Sequence, residues 1–90
     1  DDYDENELLA IFKQIASMEQ YVLSPTAEFK LMDLIFHKVM NKDSSFGNAR
    51  EMRNVFDLTI QQLSVRVSSM PQSQVTDETY RLITPEDIPN

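Results

Sequence analysis

A small, mainly all-α bundle of three to four helices is what this chain predicts. Three observations carry the prediction: apolar residues recur at helical spacing over three long stretches, each stretch opens on a capping signal, and the only glycine lies between the second and third. The first helix is expected over about residues 4–20, with Leu8, Ile11, Phe12, Ile15 and Met18 at helical period. Its opening residues Asp4, Glu5 and Glu7 suit the positive end of a helix dipole. The second is expected over about 25–41, where Ser24 is a cap and Pro25 fills the first helical position. Its apolar residues Phe29, Met32, Leu34, Ile35, Phe36, Val39 and Met40 occupy more than one stripe, so it should pack on two sides or be central. The third, over about 49–69, carries Met52, Phe56, Ile60, Leu63, Val67 and Met70 on one side. Arg50, Asp57, Gln61, Ser64 and Ser68 fall together on a different, polar side.

The connections are short. Residues 1–3 read as a connector, 41–47 as a polar loop and 68–74 as a Ser/Gln/Pro linker. Beyond it, residues 75–88 read as turn, strand and turn, with Thr84-Pro85 a further cap-plus-proline start. The extended pieces Tyr21–Leu23 and Leu82–Thr84 are placed to pair as a two-stranded ribbon that closes the bundle. All 90 residues therefore form one domain.

Composition excludes several classes of function. Eight basic residues against fifteen acidic give a net charge of -7, and the basic residues are scattered, which argues against nucleic-acid binding. With no cysteine there is no disulfide framework and no thiolate metal site, and no apolar run reaches transmembrane length. A cytoplasmic protein without a membrane partner is the expectation. His37 has no second histidine or cysteine to join it, so it is read as a packing or surface residue, and no metal site is expected. The acidic cluster at Asp1, Asp2, Asp4, Glu5 and Glu7 lacks the glycine-bearing loop of a calcium site and is read as a solvated helix start.

The most informative run is Phe46-Gly47-Asn48-Ala49-Arg50-Glu51-Met52-Arg53-Asn54-Val55-Phe56. Gly47 allows backbone angles closed to other residues, Asn48 is a good N-cap, and Arg50 then lies in the first helical turn. A guanidinium beside unpaired helix amides suits phosphate oxygens. The plainer reading of the same residues is a capped helix with two solvated arginines. Arg53 sits at the edge of the apolar stripe, suited to pack its stem or pair with a carboxylate, and is the secondary candidate; Arg50 points away from the core.

Gly47-Asn48-Ala49-Arg50-x-x-Arg53-Asn54-x-Phe56 resembles the motif that opens the third helix of the C-terminal lid in one group of AAA+ ATPases. That group includes the red-type rubisco activases, the stage V sporulation ATPase and the cytosolic ATPases of type VII secretion. Flanking matches follow in order: Tyr3, Glu7-Leu8, Ile11-Phe12, Tyr21-x-Leu23-Ser24, Arg66, and Ile83-Thr84-Pro85-Glu86-Asp87-Ile88. Leu63-Ser64-Val65-Arg66-Val67 departs from the family's Gln-Ala-x-Arg-Leu. The resemblance implies a lid that closes over ATP and Mg bound to a larger phosphate-loop domain, in a ring that remodels a protein substrate. It implies the sensor-2 role, contact with the γ-phosphate, for Arg50, with Gly47 and Asn48 shaping the turn that presents it. The chain itself has no Gly-x-x-x-x-Gly-Lys-Ser/Thr loop, so alone it is expected to hold no cofactor, catalyse nothing and be monomeric. The partners implied are the large ATPase domain and neighbouring ring subunits. The rival expectation is an autonomous helical adaptor that binds a partner through Leu58 and Val65, a small apolar pair off the main stripe.

Overall fold

The computed structural model describes residues 3–41 and 48–90. Helix α1 spans Glu5–Met18, α2 spans Pro25–Met40, α3 spans Ala49–Ser68 and the short α4 spans Asp77–Arg81. Strand β1 (Val22–Leu23) lies between α1 and α2, and β2 (Leu82–Ile83) follows α4. Single 3-10 turns occupy Gln72–Gln74, inside the expected linker, and Pro85–Asp87.

Each long helix starts where its side chains can satisfy orphan amides. Asp4 accepts from the Glu7 amide at 2.8 Å while Glu7 accepts from the Asp4 amide at 2.9 Å, a capping box. Ser24 accepts from Ala27 at 3.1 Å with Pro25 behind it. The end of α1 comes two residues before the sequence expectation, and its geometry explains why. Gln20 takes a left-handed conformation at φ 68°, its amide bonds Ser17 O at 3.1 Å, and the Tyr21 amide reaches back to Ala16 O at 2.8 Å. This is a Schellman motif with glutamine where glycine is usual. It turns Tyr21 inward, edge-on to Phe56 at 5.8 Å between ring centroids.

The core is a single cluster. α1 contributes Leu8, Phe12 and Ala16, α2 contributes Ala27, Leu31 and Ile35, and α3 contributes Met52, Val55, Phe56, Leu63 and Val67. Phe56 is central: Phe12 packs edge-on to it at 5.5 Å between ring centroids, and Tyr21 packs edge-on to the same ring. The buried Thr59 hydroxyl is satisfied by donating to Val55 O at 2.8 Å. α1 packs on both α2 and α3, while the Pro85–Asp87 turn packs on α2 and α3 from another side. Ile83 and Ile88, flanking that turn, complete the core.

The ribbon forms, and it is parallel: Val22 pairs with Leu82 and Leu23 with Ile83. Both segments read apolar, apolar, hydroxyl, proline (Val-Leu-Ser-Pro and Leu-Ile-Thr-Pro), so equivalent residues of two strand-to-turn corners lie side by side. The Ser24 amide extends the ladder to Ile83 O at 3.1 Å.

One expectation is corrected. α2 packs on α1 and on the Pro85–Asp87 turn, fully burying Ala27, Leu31 and Ile35 with Leu34 and Val39 partly buried beside them, but Phe29, Phe36 and Met40 are exposed on the other face, as is Met18 at the end of α1. Hydrophobic periodicity identifies an apolar face but not what covers it, and no element among the described residues lies against this one.

The C-terminal turn is held by charge. The Asp87 carboxylate, fully buried, accepts from Arg66 Nε at 2.9 Å and Nη2 at 3.0 Å, from the Thr84 amide at 2.9 Å and from the Thr84 hydroxyl at 3.1 Å. Arg66 Nη2 also donates to Leu82 O at 3.2 Å, and Lys30 Nζ donates to Pro85 O at 3.0 Å. Hydrogen bonding to Asp87 holds the Arg66 guanidinium above the ordinary arginine range, against the opposing effect of partial burial. With the pKa raised, the arginine's contribution is fully present below its ordinary value and is lost only at more alkaline pH, outside the working range.

Three stability outcomes are expected, each read by thermal unfolding. Phe56→Ala costs about 3–5 kcal/mol, because it leaves a cavity between Phe12 and Tyr21. Asp87→Ala costs about 3 kcal/mol by stranding Arg66 without its counter-charge, lowering the melting temperature by on the order of 12 °C. Gln20→Gly does the opposite, raising stability by about 1 kcal/mol through relief of the left-handed penalty; a variant that melts lower would contradict the helix end described.

Candidate functional site

The candidate site is the start of α3. Asn48 has extended backbone angles (φ -130°, ψ 167°), and its side-chain oxygen accepts from the Glu51 amide at 3.0 Å. That bond satisfies one amide of the first turn. Gly47 lies outside the described residues. Arg50 stands in the first turn with its side chain exposed, clear of the core stripe. The first turn also carries Glu51, half-buried, which complements the helix dipole.

The two arginines have separate surroundings. Arg53 forms an ion pair with Glu19, at the end of α1, and a second with Asp57 one turn along at 3.2 Å. Its guanidinium carbon lies 5.4 Å from the centroid of the Phe56 ring. The hydrogen bond to Glu19, with the charges of both acids, raises its pKa from the ordinary value. Arg53 therefore ties the last turn of α1 to the first half of α3 and covers the central ring of the core. Among the described residues Arg50 has no ion pair, and nothing in the packing of the bundle uses it.

The other candidates lie apart from this end of α3 or serve the fold. His37 faces Asp33 at 3.4 Å on the surface of α2, and no group of three or more His, Cys, Asp or Glu side chains is placed to hold a metal among the described residues. A groove of about 360 Å³ between α2 and the chain end is lined by Lys30, Asp33, His37 and Lys38, but Lys30 is engaged by Pro85 O and His37 by Asp33. Leu58 and Val65 are each about half exposed on α3. No helix is long and apolar enough to cross a membrane among the described residues. The sequence reading missed the structural weight of Asp87; its signal was the Thr84-Pro85-Glu86-Asp87 cap, in which the residue three beyond the cap returns a carboxylate.

The described residues thus form a helical bundle closed by a two-residue parallel ribbon, with an arginine exposed at a capped helix start. Residues 4–90 match the AAA lid domain family, and the chain belongs to it. It is also similar to the protein CfxQ homolog of Guillardia theta, with 33% identity over 87 residues, covering 97% of this chain and 29% of that protein. The chain thus spans less than a third of the length of the curated relative it matches. Membership of the lid family implies association with an AAA ATPase domain.

Proposed function

We propose that this domain is the C-terminal lid of a ring-forming AAA+ ATPase of the red-type rubisco activase, stage V sporulation and type VII secretion group. In that reading it closes over ATP and Mg held by a phosphate-loop domain, in the cytoplasm, and transmits the nucleotide state to a remodelled protein partner. The observation that carries the reading is Arg50: exposed, in the first turn of a capped 20-residue helix, and without an ion pair among the described residues. A guanidinium so held reaches a phosphate oxygen without disturbing the core, and its planar fork matches the geometry of the anion. ATP would supply the transferable γ-phosphoryl group. Asn48 orients the helix start, Gly47 shapes the turn before it, and Arg50 stabilises charge on the phosphoryl oxygens. Because α3 is packed into the core and tied through Arg53 to α1, a pull on Arg50 would move the bundle as a body.

A second reading, an autonomous adaptor, is favoured by the exposure of Leu58 and Val65 one heptad apart on α3. One experiment separates the two. In the full-length protein, Arg50→Ala is expected to lower ATP turnover by on the order of 100-fold, as for loss of one preorganised donor, with the melting temperature of the lid unchanged. Undiminished turnover in a folded variant would remove the sensor role and leave the adaptor.

A further inference from the structure

The end of α1 is built against local preference at Glu19. Glu19 is the C-cap residue, and the last turn of α1 holds no basic side chain, so a carboxylate stands at the negative end of the helix dipole. A neutral or basic side chain would be more stable there. The next residue, Gln20, is left-handed at φ 68°, but that cost is offset by the packing of Tyr21 on Phe56, which needs no charge on its neighbour. Among the described residues the Glu19 carboxylate has one partner: Arg53 Nη1 donates to it from α3. The two side chains are 48% and 41% exposed, and ion pairs so exposed add little to stability. Stability therefore does not account for Glu19.

What the pair supplies is direction. Met52, Val55 and Phe56 hold the first half of α3 in the core through apolar contacts, which carry no direction of their own. A hydrogen bond weakens steeply as it bends. Arg53 is held by one such bond to α1, and from a second side by Asp57 at 3.2 Å. It stands three residues after Arg50, roughly 4.5 Å along the axis and about 60° around it. We propose that Glu19, acting through Arg53, is a positioning residue for Arg50, a proposal that rests on the sensor reading above. It fixes the rotation of α3 about its own axis, and with it the direction from which the Arg50 guanidinium meets the phosphoryl oxygens. Neither Glu19 nor Arg53 touches the nucleotide. Without the pair Arg50 is still present and charged but is less well aimed, and a misplacement of about 1 Å can cost on the order of 100-fold in rate. Because the core still limits the movement, the loss is smaller than for removal of Arg50 itself.

The test is ATP turnover by the full-length protein carrying Glu19→Gln, which keeps the shape of the side chain and leaves the Arg53 stem over Phe56. kcat is expected to fall by on the order of tenfold. The melting temperature should not fall, because loss of an exposed pair is offset by relief at the helix end. Lys13→Gln breaks a comparably exposed pair, 48% and 36%, between Lys13 on α1 and Glu28 on α2, and should leave kcat unchanged. The deciding measurement combines Glu19→Gln with Arg50→Ala. A residue that acts through Arg50 has no further effect once Arg50 is gone, so the double variant should turn over ATP no more slowly than Arg50→Ala alone. Undiminished kcat in Glu19→Gln would overturn the proposal, as would a further tenfold loss in the double variant. An equal loss in Lys13→Gln would also overturn it, by assigning the effect to the bundle's stability. Arg50→Ala alone keeps the two readings apart: lost turnover there beside undiminished turnover in Glu19→Gln sinks the positioning role only, whereas undiminished turnover in Arg50→Ala sinks the sensor role and positioning with it.

Discussion

The buried carboxylate of Asp87 is the constraint on which the arrangement of the bundle depends. Helices α2 and α3 meet mainly through other elements, α1 on one side and the Pro85–Asp87 turn on another. A three-residue turn has little apolar surface of its own, so packing alone would hold it weakly. The four hydrogen bonds that Asp87 accepts, two of them from the Arg66 fork, fix it in place. Removing such a carboxylate from water is costly, and full satisfaction of its oxygens is what makes the burial tolerable. Lys30 holds the same turn from α2 through Pro85 O, so a turn far along the chain ties the consecutive helices α2 and α3 together.

A second tie works at the other side of α3. The Schellman turn after α1 places Glu19 outside and Tyr21 inside, and Arg53 and Phe56 receive them. The ion pair is exposed and worth little in isolation. Its geometric effect is larger: the arginine stem and guanidinium cover the Phe56 ring, which the core needs kept from water. Two arginines three residues apart thus have different physical roles. Arg53 is spent within the domain, whereas Arg50, rotated away from that stripe, is exposed and has no ion pair among the described residues.

The outward faces follow from how little of each helix the bundle covers. A domain of 90 residues has a modest core, and α2 needs only one narrow stripe to join it. Its opposite stripe is as apolar as the first. The rigid core sets the angle between that stripe and the start of α3, so any partner that grips one also fixes the position of the other.

Much of this was legible in the amino-acid order. Helical period, the acidic opening of the first stretch and the caps at Ser24 and Asn48 located three helices to within two residues, because capping and amphipathicity are local chemistry written into neighbouring side chains. The separation of Arg50 from Arg53 was legible for the same reason, since a rotation of 100° per residue needs no knowledge of the partner. The left-handed Gln20 was not, because no residue type announces it and only the packing of Tyr21 on Phe56 makes the strain worthwhile. Nor was the exposure of Phe29, Phe36 and Met40: periodicity reports that a face is apolar and is silent on what lies against it. The parallel pairing of β1 with β2 and the Arg66–Asp87 pair join residues far apart in sequence, and such contacts exist only once the helices are stacked. The sequence by itself determined the elements and the direction in which each side chain leaves its helix; the tertiary structure alone decided which of those directions end in a partner and which end in solvent, because burial is a property of the assembled bundle.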